Sequence, residues 1–219
     1  MEQRHLLSSR ASGGLSRDTI SERLARGWPP RGRDAATANG DLLPGGPILT
    51  RPLRPAAVLV PLVERPEGVT VLLTQRTAHL AHHPGQISFP GGRLEDRDQG
   101  DSVACALRET EEEVGLSPGE VTVLGRLGDY ATGTGFIVTP IVGATSAPLA
   151  LTLDPFEVAD VFEVPLDFVL DTANHSLHRR EVDGRSRPYW AIAWGERLIW
   201  GATAGILVNL SEVLGRDGQ

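Results

Sequence analysis

Arg108-Glu-Thr-Glu-Glu-Glu-Val-Gly115 decides the reading of this chain. It ends a segment, residues 102–114, in which Val103, Ala106, Leu107, Thr110 and Val114 recur at helical spacing. The spacing predicts a helix, with Ser102 as candidate N-cap and Gly115 where a C-cap glycine is expected. On that helix Glu109 and Glu113 are four residues apart and share a face, and Glu112 borders it. Like charges so placed destabilise a helix by about 0.2–0.5 kcal/mol per pair. A hard divalent cation such as Mg²⁺ or Mn²⁺ reverses that cost, because it takes oxygen ligands. The alternative for a charge run is a solvated acidic face.

The stretch just upstream separates the two readings. Ser88-Phe-Pro-Gly-Gly-Arg93 places two glycines after a proline, so the backbone there turns sharply and approaches a ligand closely. A loop of this kind directly before an acidic helix brings its carbonyls near the same cation. Farther out, residues 56–63 and 69–75 are apolar and β-branched and flank the turn Glu64-Arg-Pro-Glu-Gly68, which predicts a hairpin. Further strands are predicted at 121–127, 136–142 and 158–163, and a second hairpin from 175–182 and 189–194. A closing helix over 202–214 carries Ile206, Leu207, Leu210, Val213 and Leu214 as one apolar stripe. The pattern is α+β, with mostly antiparallel strands and two main helices.

Gly92, Asp98, Arg108, Glu109, Glu112, Glu113, Gly115 and Leu116 together resemble the box of the Nudix hydrolases, G-x5-E-x7-R-E-U-x-E-E-x-G-U, with U a bulky aliphatic residue. Asp98 stands at the first acidic position, its gap to Arg108 is nine residues instead of seven, and Thr110 stands at the first aliphatic position. A second match lies ahead of the box. Leu72, Leu73, Thr74, Arg76, Gly85, Phe89, Pro90, Gly91 and Gly92 are similar to the L-L-T-x-R-[SA]-x3-R-x3-G-x3-F-P-G-G signature of the coenzyme A pyrophosphatase branch. Thr77 replaces Ser or Ala, and Ala81 replaces the second Arg. The late segment Ile199-Trp-Gly-Ala-Thr-Ala204 also resembles that branch, and the likeness covers roughly residues 54–214.

The resemblance implies a Nudix fold, mixed and antiparallel sheets packed between helices as an α/β/α sandwich. It implies hydrolysis of coenzyme A or its derivatives to 3′-phospho-AMP and 4′-phosphopantetheine, with Mg²⁺ or Mn²⁺ as cofactor. Glu109 and Glu113 are implied as metal ligands, and Glu112 as a further ligand or the general base. Arg108 is implied to fix a box carboxylate. Arg76 is a candidate phosphate clamp, because a planar guanidinium binds phosphate bidentately. Phe89, Gly91 and Gly92 are candidate substrate-loop residues, and Glu157 is a candidate general base from a distant loop. ADP-ribose, NADH or a nucleoside triphosphate are alternative substrates, since the box handles only the diphosphate. A catalytically inactive ligand sensor is the alternative outside enzymes.

Composition bounds the rest. The 219 residues are 40% hydrophobic and 22% charged, ordinary globular values. No run approaches the roughly 20 apolar residues of a membrane span. Cys105 is the only cysteine, which excludes an internal disulfide and a Cys-rich zinc site. There is no Lys, which excludes a lysine nucleophile and a P-loop lysine. Net charge is −7, so nucleic acid is not the expected partner. Residues 1–54 carry nine Arg against five acidic residues, while the remainder carries twelve against 23. We therefore expect residues 1–53 to form an extension with one short helix near 18–26 and a linker, and residues 54–219 to form the Nudix domain. The expected partner is a small nucleoside diphosphate derivative, with no membrane and with a homodimer left open, and the expected location is the cytoplasm. His82 and His83 flank the substrate loop. Cys105 reads as a packed residue, and Trp190, Trp194 and Trp200 as core.

Overall fold

A computed structural model describes residues 15–26, 52–79, 85–182 and 185–215. The linker expected after residue 26, together with Ala81, His82 and His83, lies outside the described residues.

The larger sheet begins with β1 (Arg54–Arg65) and β2 (Gly68–Arg76), an antiparallel hairpin whose register closes at Arg65↔Gly68. The short strands β3 (Ile87–Ser88) and β4 (Gly91–Arg93) follow, then helix α2 (Ser102–Val114), β5 (Thr122–Arg126), β6 (Tyr130–Ala131), β7 (Phe136–Ser146) and β8 (Val158–Pro165). Strands run in the order β3-β2-β1-β7-β5, with β4 on β1, β6 on β7 and β8 on β2. The pairing of β1 with β7 is parallel, from Arg54↔Phe136 to Glu64↔Ser146. The other pairings among the described residues are antiparallel, so the sheet is mixed, as expected. A parallel neighbour requires a long crossover, and α2 lies within it.

Successive residues of a strand point to opposite faces, so β1 serves two cores. Ala57 and Leu59 join Cys105, Ala106 and Val114 of α2 in the smaller cluster. Ala56, Val60 and Leu62 join the larger cluster, which includes Ile206, Leu207 and Leu210 of α4 (Ala202–Leu214). Burial on both faces is why β1 reads as an unbroken apolar run. The result is a sheet between helices, the α/β/α arrangement.

A second sheet, β11-β10-β9, is formed by β9 (Ser176–Val182), β10 (Arg185–Trp194) and β11 (Arg197–Trp200). A short helix α3 (Leu166–Leu170) connects the two sheets. Trp190 and Trp194 are partly buried against the larger cluster, with the Trp194 and Phe168 rings 4.7 Å apart. Helix α1 (Arg17–Ala25) sinks Ile20 and Leu24 into the same cluster. Its Arg17 donates twice to Glu64, at 2.7 Å from both Nε and Nη2. Among the described residues no helix is long and apolar enough to cross a membrane.

Candidate active site

The site is built where α2 meets the Pro-Gly-Gly turn. The helix starts on Asp101, not Ser102: the Asp101 side chain accepts from the Val103 N–H at 2.8 Å. Both residue types cap well, and the one nearer the incoming turn takes the role. The helix ends at Gly115, whose φ of 73° is left-handed.

Each glycine of the turn is required by a different contact. Gly91 has φ of 151°, and a Cβ there would lie 2.4 Å from the Ala57 carbonyl oxygen. A Cβ on Gly92 would lie about 2.4–2.5 Å from the Glu109 carboxylate. The Gly91 N–H donates to Glu113 Oε2 at 3.3 Å. The two helix carboxylates one turn apart are thus laid against the backbone of β4, which is held by its pairing with Ala56–Val58 of β1.

Arg108 organises the outer side. It donates from Nε and Nη2 to Asp98 at 2.8 and 2.9 Å, a bidentate pair. Its Nη1 lies 2.9 Å from Glu109 Oε1 and 2.9 Å from Glu112 Oε2. The Asp98 side chain is only 2% exposed and also accepts the Glu95 N–H at 2.8 Å. The Arg108 hydrogen bonds hold the Asp98 carboxyl well below the usual carboxylate range, and that pair raises the guanidinium in turn. Glu112 is half exposed and is also engaged by Arg97 at 3.1 Å.

Glu157 reaches the site through backbone bonds. The Thr152 and Asp154 N–H groups donate to the Val114 and Glu113 carbonyls at 2.9 Å. Thr77, following β2, donates its N–H to the Glu157 carbonyl at 3.0 Å and its hydroxyl to the Phe156 carbonyl at 2.7 Å. The loop is therefore clamped between the C-terminus of α2 and the end of β2, where a register shift between Gln75 and Arg76 interrupts the ladder. A bulge of that kind re-aims side chains.

Glu113 feels the whole group. Burial, then the charge of Glu157, raise its carboxyl to about 8; Arg76 and the Gly91 N–H act the other way, and Glu109 adds to the rise. Burial also raises Glu109, against its bond to Arg108. Among the described residues no three His, Cys, Asp or Glu side chains already converge on one point. The donor chemistry nevertheless fits a hard divalent cation. Glu113 is a buried carboxylate facing two like charges, and its local deficit of positive charge and its oxygen ligands are what such an ion supplies. Cys105 is not part of this chemistry. It is fully buried, and burial first, then nearby Asp98, push its thiol up to about 12, so it holds no reactive thiolate.

Arg76 also lines an adjoining cavity of about 350 Å³, bounded by Ser88 and Phe89, the 132–134 turn, the β9–β10 hairpin and the start of α4. Arg180 and Arg187 of that hairpin line it too. Neither was singled out from the sequence; the available signal was Arg180 on the first arm of the predicted hairpin and Arg187 just ahead of the second, which the structure extends back to Arg185. Of the expected residues, the structure gathers Glu109, Glu113, Gly91 and Gly92 around one turn, with Glu157 and Arg76 acting on Glu113. It sets Phe89 in the cavity wall and directs Glu112 to Arg97 and Arg108.

A family model for the NUDIX domain matches residues 53–182. The chain is 41% identical over 165 residues to an uncharacterized Nudix hydrolase, NudL, of Escherichia coli K12, an alignment spanning 74% of this chain and 83% of that protein. Among solved structures it resembles a Nudix hydrolase from M. smegmatis, RenU, at 25% identity and a TM-score of 0.46, covering 55% of this chain and 76% of that one. It also resembles the NUDIX domain of Shewanella oneidensis NrtR in complex with ADP ribose, at 21% identity and a TM-score of 0.42, covering 55% and 77%.

Proposed function

The chain belongs to the NUDIX domain family, and from that premise we propose that it hydrolyses the pyrophosphate bond of coenzyme A or a derivative, giving 3′-phospho-AMP and 4′-phosphopantetheine. The observation that carries the reading is the buried carboxylate of Glu113, held by the Gly91 N–H and crowded by Glu157 and Glu109 with Arg76 opposing them. That is a setting for a divalent cation and a diphosphate together. The Leu72–Gly92 signature supports coenzyme A as the ligand, and the arginine-bearing cavity beside Arg76 supports an anionic one.

In this reading Glu109 and Glu113 hold Mg²⁺ or Mn²⁺, which when bound neutralises the diphosphate and lowers the pKa of a water. Arg108, fixed by Asp98, positions Glu109 and Glu112. Glu112 serves as a further ligand or as the general base, and Glu157 is the other carboxylate placed to accept the proton of the attacking water. Arg76 binds the phosphate opposite them. Water oxygen bonds to one phosphorus, the bridging P–O bond breaks, and each product leaves with its own phosphate. Gly91 and Gly92 keep the turn close enough for these contacts, and Phe89 closes the cavity wall. The same reading places the protein in the cytoplasm.

A second reading, ADP-ribose, NADH or a nucleoside triphosphate as substrate, is favoured by Ala81 standing where the coenzyme A signature has Arg. Product analysis by mass spectrometry separates the two. Purified protein is incubated with coenzyme A, NADH, ADP-ribose and dGTP, with Mg²⁺ or Mn²⁺ and with EDTA controls. Metal-dependent release of phosphopantetheine from coenzyme A supports the first reading, and cleavage of another compound alone replaces it with the second. No cleavage of any sinks both and favours a ligand sensor.

A further inference from the structure

Arg180 on β9 and Arg187 on β10 are register partners, directly opposite each other across the hairpin. Like charges so placed repel, yet both side chains line one cavity with Arg76, and among the described residues lining it none is acidic. The Arg187 Nε is buried without a hydrogen-bond partner. A buried donor left unmade is costly, and the cost disappears when an anion accepts from it. Arg180 is set over the Tyr189 and Trp200 rings, 6.0 and 5.6 Å from their centroids. Stacking of that kind constrains a guanidinium that would otherwise be mobile. The start of α4 also lines this cavity, through Gly201, Ala202 and Thr203. The thirteen-residue helix therefore adds the positive end of its dipole to the same space.

We propose that Arg180 and Arg187 form a second anion subsite, which takes a phosphomonoester carried on the ribose of the nucleotide while the diphosphate lies at Arg76 and Glu113. Two guanidinium groups match the near-dianionic charge of a phosphomonoester, and the planar fork of each suits its oxygens. Arg76 faces both regions, so one ligand spans them. This rests on the coenzyme A reading: coenzyme A bears such a phosphate at the ribose 3′ position, and NADH and ADP-ribose do not.

The first test is binding, which needs no turnover. Calorimetric titrations with adenosine 3′,5′-bisphosphate, adenosine 2′,5′-bisphosphate and AMP are compared for the full chain, for Arg180→Gln/Arg187→Gln and for Arg180→Gln alone. The parent is expected to bind the 3′,5′-bisphosphate roughly tenfold or more tightly than AMP, the scale of a single charge-assisted hydrogen bond. The double variant should bring that ratio near one. Arg180 is exposed, so the single variant keeps the fold even if the double one does not, and it should lower the ratio several-fold. Equal affinity for AMP and the 3′,5′-bisphosphate in the parent, or a ratio that survives in the single variant, overturns the subsite. Tighter binding of the 2′,5′-bisphosphate overturns the 3′ assignment. A second arm compares turnover of coenzyme A and dephospho-coenzyme A. Equal kcat/KM for the two removes the subsite and leaves the coenzyme A reading standing. A bisphosphate preference in binding, with neither compound cleaved, keeps the subsite and removes that reading.

Discussion

Replacing Glu113 by Gln should make the metal-free protein more stable at alkaline pH while abolishing its activity. The carboxyl is raised from its ordinary 4.5 to about 8, chiefly by burial and then by Glu157, and the residue is 5% exposed. A raised carboxyl favours the folded state when protonated. Its contribution is therefore complete below about pH 4.5 and is lost as pH climbs towards about 8. Integrated over that window, the loss reaches about 4 kcal/mol near pH 8, against about 1 kcal/mol near pH 5.5. Gln cannot ionise and keeps an oxygen to accept the Gly91 N–H. Urea unfolding in EDTA should then show the variant gaining about 3 kcal/mol on the parent between those two pH values. Hydrolysis should fall by orders of magnitude, because the amide is a poor ligand for a hard cation. Adding Mn²⁺ near pH 8 should restabilise the parent and not the variant, by about 3 kcal/mol at a hundredfold excess over Kd. A stability difference that is flat with pH would refute the burial argument, and so would a parent more stable than the variant near pH 8 in EDTA.

The other contacts give separate expectations. Asp98→Asn removes one partner of a bidentate pair whose acid is 2% exposed; the cost should be about 3 kcal/mol, seen by calorimetry as a drop of about 6–12 °C in Tm. Gly92→Ala puts a methyl about 2.4–2.5 Å from the Glu109 carboxylate and so must displace it. The expectation is a fall of about a hundredfold or more in kcat with far-UV circular dichroism unchanged, and activity within a few-fold of the parent would show that Glu109 is not needed there. Cys105, with its thiol pushed up to about 12, should resist a thiol reagent near pH 8 until the protein is unfolded in urea; rapid labelling of the native chain would contradict its burial.

Local pattern accounts for the elements whose partners are near in sequence. The β1–β2 hairpin follows from two apolar, β-branched runs about a turn, and α2 and α4 from the helical period, which places them at residues 102–114 and 202–214. The parallel β1–β7 register joins residues some eighty apart, and nothing in either strand's own pattern encodes it. Cys105 sits one position off the apolar stripe yet is fully buried, because β4 covers that side of α2 and brings the Arg93 carbonyl to 3.4 Å from its sulfur. The carboxylates of α2 are legible from their spacing alone. The approach of Glu157 is not, since it depends on backbone bonds from Asp154 and Thr77 that no side-chain pattern announces. Arg180 and Arg187 escape notice for the same reason: their meeting in one cavity requires the hairpin register, which is a tertiary fact.

The functional reading rests on the face of α2 bearing Glu109 and Glu113 holding a divalent cation. Calorimetric titration of Mn²⁺ into the metal-free chain near pH 8, beside Glu113→Gln, tests it most directly. Saturable binding to the parent is expected, weaker as pH falls and Glu113 takes up its proton, with affinity lowered at least about tenfold in the variant. Equal Mn²⁺ affinity in parent and variant would contradict it.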